Sequence, residues 1–350
     1  MNVPNLKKEE EKRSLIKVIR GEATDNIPIW LMRQAGRYLP EYREIRKNAG
    51  TFLDLCYNPE LATEVTMQPI RRFGFDASII FSDILVIPHA MGVGLEYKEG
   101  EGPVLEKIDS ADKINNLIMG NVREHLNPVF EALKNVRGEL SEDKTLIGFA
   151  GAPWTVATYM VEGGSSKNYH KIKELAFKNP DLFKLLLDKL VTETSEYLIA
   201  QIEAGADVIK IFDSWAGVLA EKQFEDFVLA PTAQIVRNVR AVYPDVPIIG
   251  LPKGAGVLYE KYADYTGVDV IAFDYMLPAY WAKDVLQQYA TVQGNLDPNL
   301  LASDINATVN EVKRLKSMFN DGKYIFNLGH GILPHTPIEN VEILVDTIRG

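Results

Sequence analysis

Arg33-Gln34-Ala35-Gly36-Arg37 sets two guanidinium groups on either side of a small, bendable stretch. A guanidinium fork matches a carboxylate bidentately and stays charged at any working pH, so the segment reads as an anion trap. Arg43, Arg46 and Lys47 follow on an expected helix after Pro40. For Arg43 and Lys47, a solvated face paired with Glu41 and Glu44 is explanation enough. Asp83 closes the run Ile79-Ile80-Phe81-Ser82. A carboxylate there suits a base, a metal ligand or an anchor for N–H groups, and equally a cap for the loop it opens, a role Ser82 shares. Tyr159 offers a hydroxyl at the end of Trp154-Thr155-Val156-Ala157-Thr158, or simple packing. Ser214, between Asp213 and Trp215, offers a polar contact or a helix cap. It lacks the flanking glycines and the partner that a nucleophilic serine needs. His330 lies in Gly329-His330-Gly331, where a ligand contact is expected. The five histidines, His89, His125, His170, His330 and His335, form no spaced metal-ligand motif.

These residues need a scaffold that gathers them. Eight short apolar runs separated by helical stretches fall near Ile27–Met32, Ala77–Phe81, Leu146–Ala150, Val208–Phe212, Val246–Leu251, Val268–Phe273, Ala290–Gln293 and Lys323–Asn327. Near-continuous apolar runs suit parallel strands covered on both faces, and eight of them suit a closed barrel. The expected fold is therefore α/β: a single (β/α)8 TIM-type barrel over residues 1–350. An N-terminal helical extension covers 1–20, and a small hairpin at Gly100-Glu101-Gly102-Pro103 is inserted after the second strand. Helices are expected over Pro180–Ala204, capped by Asn179 and stopped by Gly205, and over Lys222–Tyr243, Asn310–Phe319 and Glu339–Ile348. In such a barrel the C-terminal strand ends build the site, and every residue named above follows an expected strand. Gly294-Asn295 and Gly329-His330-Gly331 leave a phosphate cradle open as an alternative.

Composition narrows the function classes. With 46% hydrophobic and 25% charged residues the chain matches an ordinary globular protein. A formal net charge of -10 argues against general nucleic-acid binding or adhesion to anionic membranes. Cys56 is the single cysteine, which rules out an intrachain disulfide and a multi-thiolate zinc site. The first residues carry neither a secretory signal nor a transit peptide, and no apolar run reaches the length of a membrane span, so a cytoplasmic protein is expected.

Trp30 through Arg43, reading WLMRQAGRYLPEYR, resembles the N-terminal signature of the uroporphyrinogen decarboxylase family. A second signature runs from Gly151-Ala152-Pro153-Trp154-Thr155 to Tyr159-Met160-Val161-Glu162-Gly163-Gly164. Phe81–Leu85, Phe212–Gly217 and Asn327–Ile332 are further family-like stretches in the same order. The resemblance extends from about Pro28 to near the C-terminus with no departure at a motif position. It implies an α/β barrel that converts the four acetate side chains of uroporphyrinogen III to methyl groups, giving coproporphyrinogen III and carbon dioxide. No metal or organic cofactor is implied, and a homodimer is. The tetrapyrrole-binding positions map onto Arg33, Gln34, Ala35, Gly36 and Arg37, onto Asp83, Tyr159, Ser214 and His330, and onto Arg46 as a further arginine. The chemistry gives Asp83 the catalytic part, with Arg37 and Tyr159 beside it: a carboxylate facing the pyrrole N–H groups can stabilise a cationic ring. Two rivals remain, a methyl-transferring barrel holding zinc through Cys and His, and a non-catalytic tetrapyrrole carrier.

Overall fold

Nine strands run along the chain in a computed structural model that describes residues 12–98 and 100–350. They are β1 (Ala77–Ile79), β2 (Leu95–Lys98), β3 (Gly102–Leu105), β4 (Thr145–Gly151), β5 (Val208–Asp213), β6 (Ile248–Pro252), β7 (Val270–Ala272), β8 (Thr291–Leu296) and β9 (Tyr324–Leu328). Seven of them form one curled parallel sheet in the order β1-β4-β5-β6-β7-β8-β9. All seven are buried along their whole length, which is why they read as unbroken apolar runs. β2 and β3 pair antiparallel apart from this sheet, with Leu95 opposite Leu105 and Lys98 opposite Gly102.

The run expected as the first strand, Ile27–Met32, behaves differently. It contributes only a single bridge, Ile29 to Phe326 of β9. The cause is local. Pro28 has no N–H to give, and side chains take the donors that a ladder would use. Ile29 N donates to Asp76 Oδ2 at 2.9 Å, Leu31 N to Gln34 Oε1 at 3.1 Å and Met32 N to Asn327 Oδ1 at 3.0 Å. The segment still lies between β9 and β1, since Phe326 N donates to Pro28 O and Asp76 N to Ile29 O, each at 2.9 Å.

One device recurs at the N-terminal ends of the strands. Asp76, Asp207 and Asp269 each stand just before β1, β5 or β7 and accept a backbone N–H near the start of a neighbouring segment, from Ile29, Leu146 and Ile248. Asp207 also receives Arg13 and Arg137, each at 2.8 Å. These carboxylates tie the end of the sheet opposite the candidate site.

Helices cover the outside. Pro180–Glu203 buries Leu186, Leu190 and Leu198 on one stripe and ends where Gly205 takes φ +111°, as its glycine stop requires. Asn179 makes no side-chain cap there, contrary to expectation; the fixed φ of Pro180 starts the helix without one. The helix expected over 222–243 is split into Glu221–Phe224, a π-helical turn Glu225–Leu229 and Ala230–Val242. The two later helices run Ile305–Met318 and Ile338–Arg349. Of the extension expected over 1–20, residues 1–11 lie outside the described residues, and Ser14–Ile19 is helical. Among the described residues, no helix is long and apolar enough to cross a membrane.

Candidate active site

Asp83 is placed by the way β1 ends. Ile80 N still reaches Ile147 O at 3.1 Å, but Phe81 N turns aside to Thr66 Oγ1 at 2.9 Å, and the chain leaves the sheet. Asp83 Oδ1 then accepts Leu85 N at 2.8 Å, so the capping role and a site role coexist. Burial pushes the Asp83 carboxyl above its ordinary range, while the Tyr97 hydroxyl, the Leu85 N–H and the Arg33 guanidinium pull it back. Tyr97 comes from β2. Its hydroxyl is buried and has no hydrogen bond of ordinary geometry, although it faces Asp83 closely enough to act on its charge. Phe52 packs on Tyr97 with ring centroids 4.5 Å apart, and on Phe81 at 5.7 Å.

Tyr159, on the helix Pro153–Glu162, is half-buried. Burial and the negative charge of Asp83 raise its phenol, which places the two groups in one electrostatic neighbourhood. Its ring lies on Trp215, centroids 4.1 Å apart. Trp215 is itself pinned: its N donates to Thr155 Oγ1 at 3.2 Å, its carbonyl accepts Trp154 Nε1 at 3.0 Å, and Thr155 Oγ1 donates to Asp213 Oδ1 at 2.5 Å. Asp213 is fully buried and pushed up to about 7, chiefly by desolvation. Ser214 lies half-buried in the turn between this anchor and Trp215, and caps no helix.

The arginine loop sorts into different jobs. Arg33 is exposed and holds a left-handed backbone at φ +65°, unusual for a residue with a side chain and costing about 1 kcal/mol. Its charge acts on both Asp83 and His330. Arg37 is exposed at the rim. Gln34 is buried and structural: Oε1 accepts from Leu31 N and Nε2 donates to Ala77 O, each at 3.1 Å, so its amide is occupied by the backbone. Ala35 and Gly36 continue the same turn, half-buried. Arg43 corrects the expectation of a merely solvated face. Its Nη1 donates to the carbonyls of Arg37 and Tyr38 at 2.8 and 3.1 Å and braces the loop, while Glu41 pairs with Arg72. Arg46 is held by Gly50 O at 2.7 Å at the end of the helix Pro40–Asn48.

His330 follows β9. Its ring is half-buried and its Nδ1 has no hydrogen-bond partner. Burial, then the positive charges of Lys253, Arg33 and Lys210, lower it to about 3, so the imidazole is neutral at any ordinary pH. The glycines around it serve close packing rather than a phosphate. A Cβ on Gly329 would stand 2.3 Å from Tyr275 N, and one on Gly331 would stand 2.4 Å from Arg33 Cδ. Asn295 has both amide protons committed, to Asp274 O at 3.0 Å and Leu277 O at 2.9 Å. The phosphate cradle is therefore not supported.

The loops thus place Arg33 where its charge reaches Asp83, Tyr159 and His330 alike, with Ser214 beside Trp215. Arg37 stays at the rim, and Gln34 and Arg46 turn to the backbone. Sequence reading missed Tyr97, Phe52, Trp215 and Lys253. Lys253 was within its reach, since it follows Pro252 at the end of β6. Tyr97 was not, because the pairing of β2 with β3 carries it to the mouth from outside the main sheet.

The sequence model of the family described as "Uroporphyrinogen decarboxylase (URO-D)" matches residues 10–350. A protein of Rhodospirillum rubrum named uroporphyrinogen decarboxylase is 50% identical over 350 residues, covering 100% of this chain and 99% of that one. One of the same name from Brucella anthropi is 52% identical over 339 residues, covering 97% and 99%. Among solved structures, a methyltransferase from Methanosarcina mazei superposes with a TM-score of 0.76 at 23% identity, over 96% of this chain and 97% of that one; this likeness speaks for the fold. The chain belongs to the uroporphyrinogen decarboxylase family.

Proposed function

We propose that the chain removes the four acetate carboxylates of uroporphyrinogen III to give coproporphyrinogen III, with Asp83 as the group that stabilises the reacting ring. The carrying observation is a half-buried carboxylate, raised by burial and fixed by Leu85 N, between a tyrosine and an arginine at the end of β1. Each step balances without a bound cofactor. A pyrrole carbon takes a proton and the ring becomes an iminium-like cation. The acetate C–C bond then breaks, carbon dioxide leaves, and the bonding electrons neutralise the cation as an exocyclic methylene. A second proton adds there, the ring proton departs, and a methyl group remains. The net consumption is one proton for each carboxylate. The porphyrinogen serves as its own electron sink, the part a cofactor plays elsewhere.

Asp83 accepts pyrrole N–H bonds and favours the cation; that cation and those donors would in turn restore the charge that burial disfavours. Arg33 and Arg37 hold carboxylates. Tyr159 and neutral His330 position the substrate, with Ala35, Gly36 and Ser214 in contact with it. Gln34 contributes through the loop it braces, and Arg46 from the helix end. Arg37 serves binding better than proton donation, since a guanidinium is built to hold a carboxylate through its fork of N–H donors. The segment 28–32 acts as the eighth stave of a (β/α)8 barrel, and β2–β3 are a hairpin inserted after β1, the strand that leads to Asp83. A single domain, a homodimer and a cytoplasmic location without nucleic-acid partners complete the reading; they rest on the family resemblance and on composition. The methyltransferase reading finds no support in the donor set: Cys56 is buried, and among the described residues no three His, Cys, Asp or Glu side chains are grouped as metal ligands.

The test is anaerobic incubation of the purified protein with enzymatically generated uroporphyrinogen III, followed by chromatography of the oxidised porphyrins. Seven-, six-, five- and four-carboxylate species should appear in turn. An unchanged eight-carboxylate peak from folded protein would leave a carrier or a methyltransferase.

A further inference from the structure

At the end of β7, Phe273 N still donates to Gln293 O at 2.9 Å, and Asp274 is the first residue past the sheet. It stands at the same end of the sheet as Asp83 and Asp213, but it is only 1% exposed and its side chain is committed to its neighbours. Oδ2 accepts Gly254 N at 2.6 Å and the Tyr259 hydroxyl at 2.8 Å, and Oδ1 accepts Met276 N at 2.9 Å. The Tyr259 oxygen in turn accepts Asp274 N at 3.3 Å. The Asp274 carbonyl accepts Asn295 Nδ2 at 3.0 Å. One residue thus joins the chain after β6, the chain after β7, the end of β8 and the helix Leu258–Thr266.

Both loops that it grips lie against site residues. A Cβ on Gly217 would stand 2.3 Å from Gly254 O, and Gly217 N donates to Lys253 O at 3.0 Å, so the chains after β5 and β6 are in close backbone contact. Gly217 closes the turn that carries Ser214 and Trp215, and the Trp215 ring carries Tyr159. On the other side, Tyr275 N is the atom that a Cβ on Gly329 would meet, and His330 follows Gly329. Tyr275 and Met276 are 40% and 62% exposed, so their own side chains anchor this loop poorly, and the carboxylate supplies the hold. A buried carboxylate costs the fold more than an apolar residue of similar size would. It is an acceptor at both oxygens, however, and can take N–H groups from two loops at once, which an amide with donors at one end cannot.

We propose that Asp274 is a positioning residue for the reaction, fixing the spacing between the Ser214–Trp215–Tyr159 side of the mouth and the His330 side. It acts through the two loops that its oxygens hold, by way of the backbone contacts of Gly254 with Gly217 and of Tyr275 with Gly329. A macrocycle centred on Asp83 and touched from both sides needs that spacing held. A displacement of about 1 Å at reacting groups can cost about a hundredfold in rate. The inference rests on the decarboxylase reading for the reaction that is positioned, and not for the bracing itself.

The test uses the full chain, with uroporphyrinogen III for turnover and uroporphyrin for binding by fluorescence quenching, at a temperature where each variant is folded. Asp274→Asn turns an N–H donor toward Gly254 N or Met276 N. It should lower kcat/KM per folded molecule by about tenfold or more and raise the uroporphyrin Kd. Tyr259→Phe keeps the carboxylate and removes one of its partners, so it should shift both in the same direction by less. Asp269→Asn is the control: it removes a carboxylate that holds Ile248 N and Arg240 at the opposite end of the sheet. It should lower the melting temperature and leave kcat/KM unchanged. In a double-mutant cycle the losses from Asp274→Asn and His330→Gln should fall short of additive. Wild-type kcat/KM in folded Asp274→Asn, or in Tyr259→Phe where Asp274→Asn does not fold, would overturn the proposal. So would full additivity with His330→Gln, or an equal fall in Asp269→Asn. Wild-type protein that binds uroporphyrin without turnover would refute the decarboxylase reading alone, and the uroporphyrin Kd of the variants would then decide the bracing role.

Discussion

Tyr159 and Trp215 lie on one another with centroids 4.1 Å apart and planes tilted by 32°, and Trp215 is pinned through Thr155 to the buried Asp213. Tyr159 therefore takes its direction from a residue on a different loop. Such a pair contributes about 1 kcal/mol beyond burial. Trp215→Leu should lower kcat/KM about fivefold or more. Combined with Tyr159→Phe, the two losses should fall short of additive in a double-mutant cycle. Full additivity would show that Trp215 does not orient Tyr159.

Gln34 illustrates a motif residue whose side chain is spent on the fold. Gln34→Ala leaves Leu31 N and Ala77 O without their buried partners and should cost about 2–4 kcal/mol in denaturant unfolding. Residual folded protein should keep a KM close to that of the wild type. A large KM effect with unchanged stability would return Gln34 to direct contact.

The two glycines beside His330 separate fold from site. Gly329→Ala meets the backbone N of Tyr275 at 2.3 Å, which has little freedom to move, so thermal stability should fall markedly. Gly331→Ala meets Arg33 Cδ at 2.4 Å and should displace that side chain, raising KM with a smaller loss of stability. The reverse pattern would contradict this assignment.

Asp213 makes stability depend on pH in a defined sense. Its folded pKa is about 7, against an ordinary value near 3.9, so between these values the native state binds more protons than the unfolded one. Its contribution is full below about pH 4 and is lost as pH rises through 7. Asp213→Asn lacks this dependence and should gain stability relative to the wild type on going from pH 5 to pH 8. A constant difference across that range would mean that Asp213 is charged throughout.

Much of this was legible in the sequence. Seven of the eight expected strands are strands, because burial on both faces leaves an apolar run that needs no periodicity to be seen. The eighth, 27–32, shares that composition, and its pairing was lost to Pro28 and to the side chains of Gln34, Asp76 and Asn327, a competition that apolar content does not register. The strand-end rule found Arg33, Asp83, Tyr159, Ser214 and His330. It gave no sign that Arg43 braces the loop or that Lys210, an ordinary-looking lysine between Ile209 and Ile211, is buried inside the sheet against the Trp30 and Phe212 rings. Those facts depend on which face a residue presents once the sheet has curled.

The most direct test of the central claim is the turnover of Asp83→Asn with anaerobic uroporphyrinogen III, scored by chromatography of the oxidised porphyrins. Asparagine nearly preserves the shape and can still accept Leu85 N, but removes the negative charge that faces the macrocycle. The expected result is a folded protein, judged by an unchanged thermal melt, whose kcat falls by about a hundredfold or more while the eight-carboxylate peak persists. Near-normal appearance of the four-carboxylate product in this variant would contradict the role assigned to Asp83.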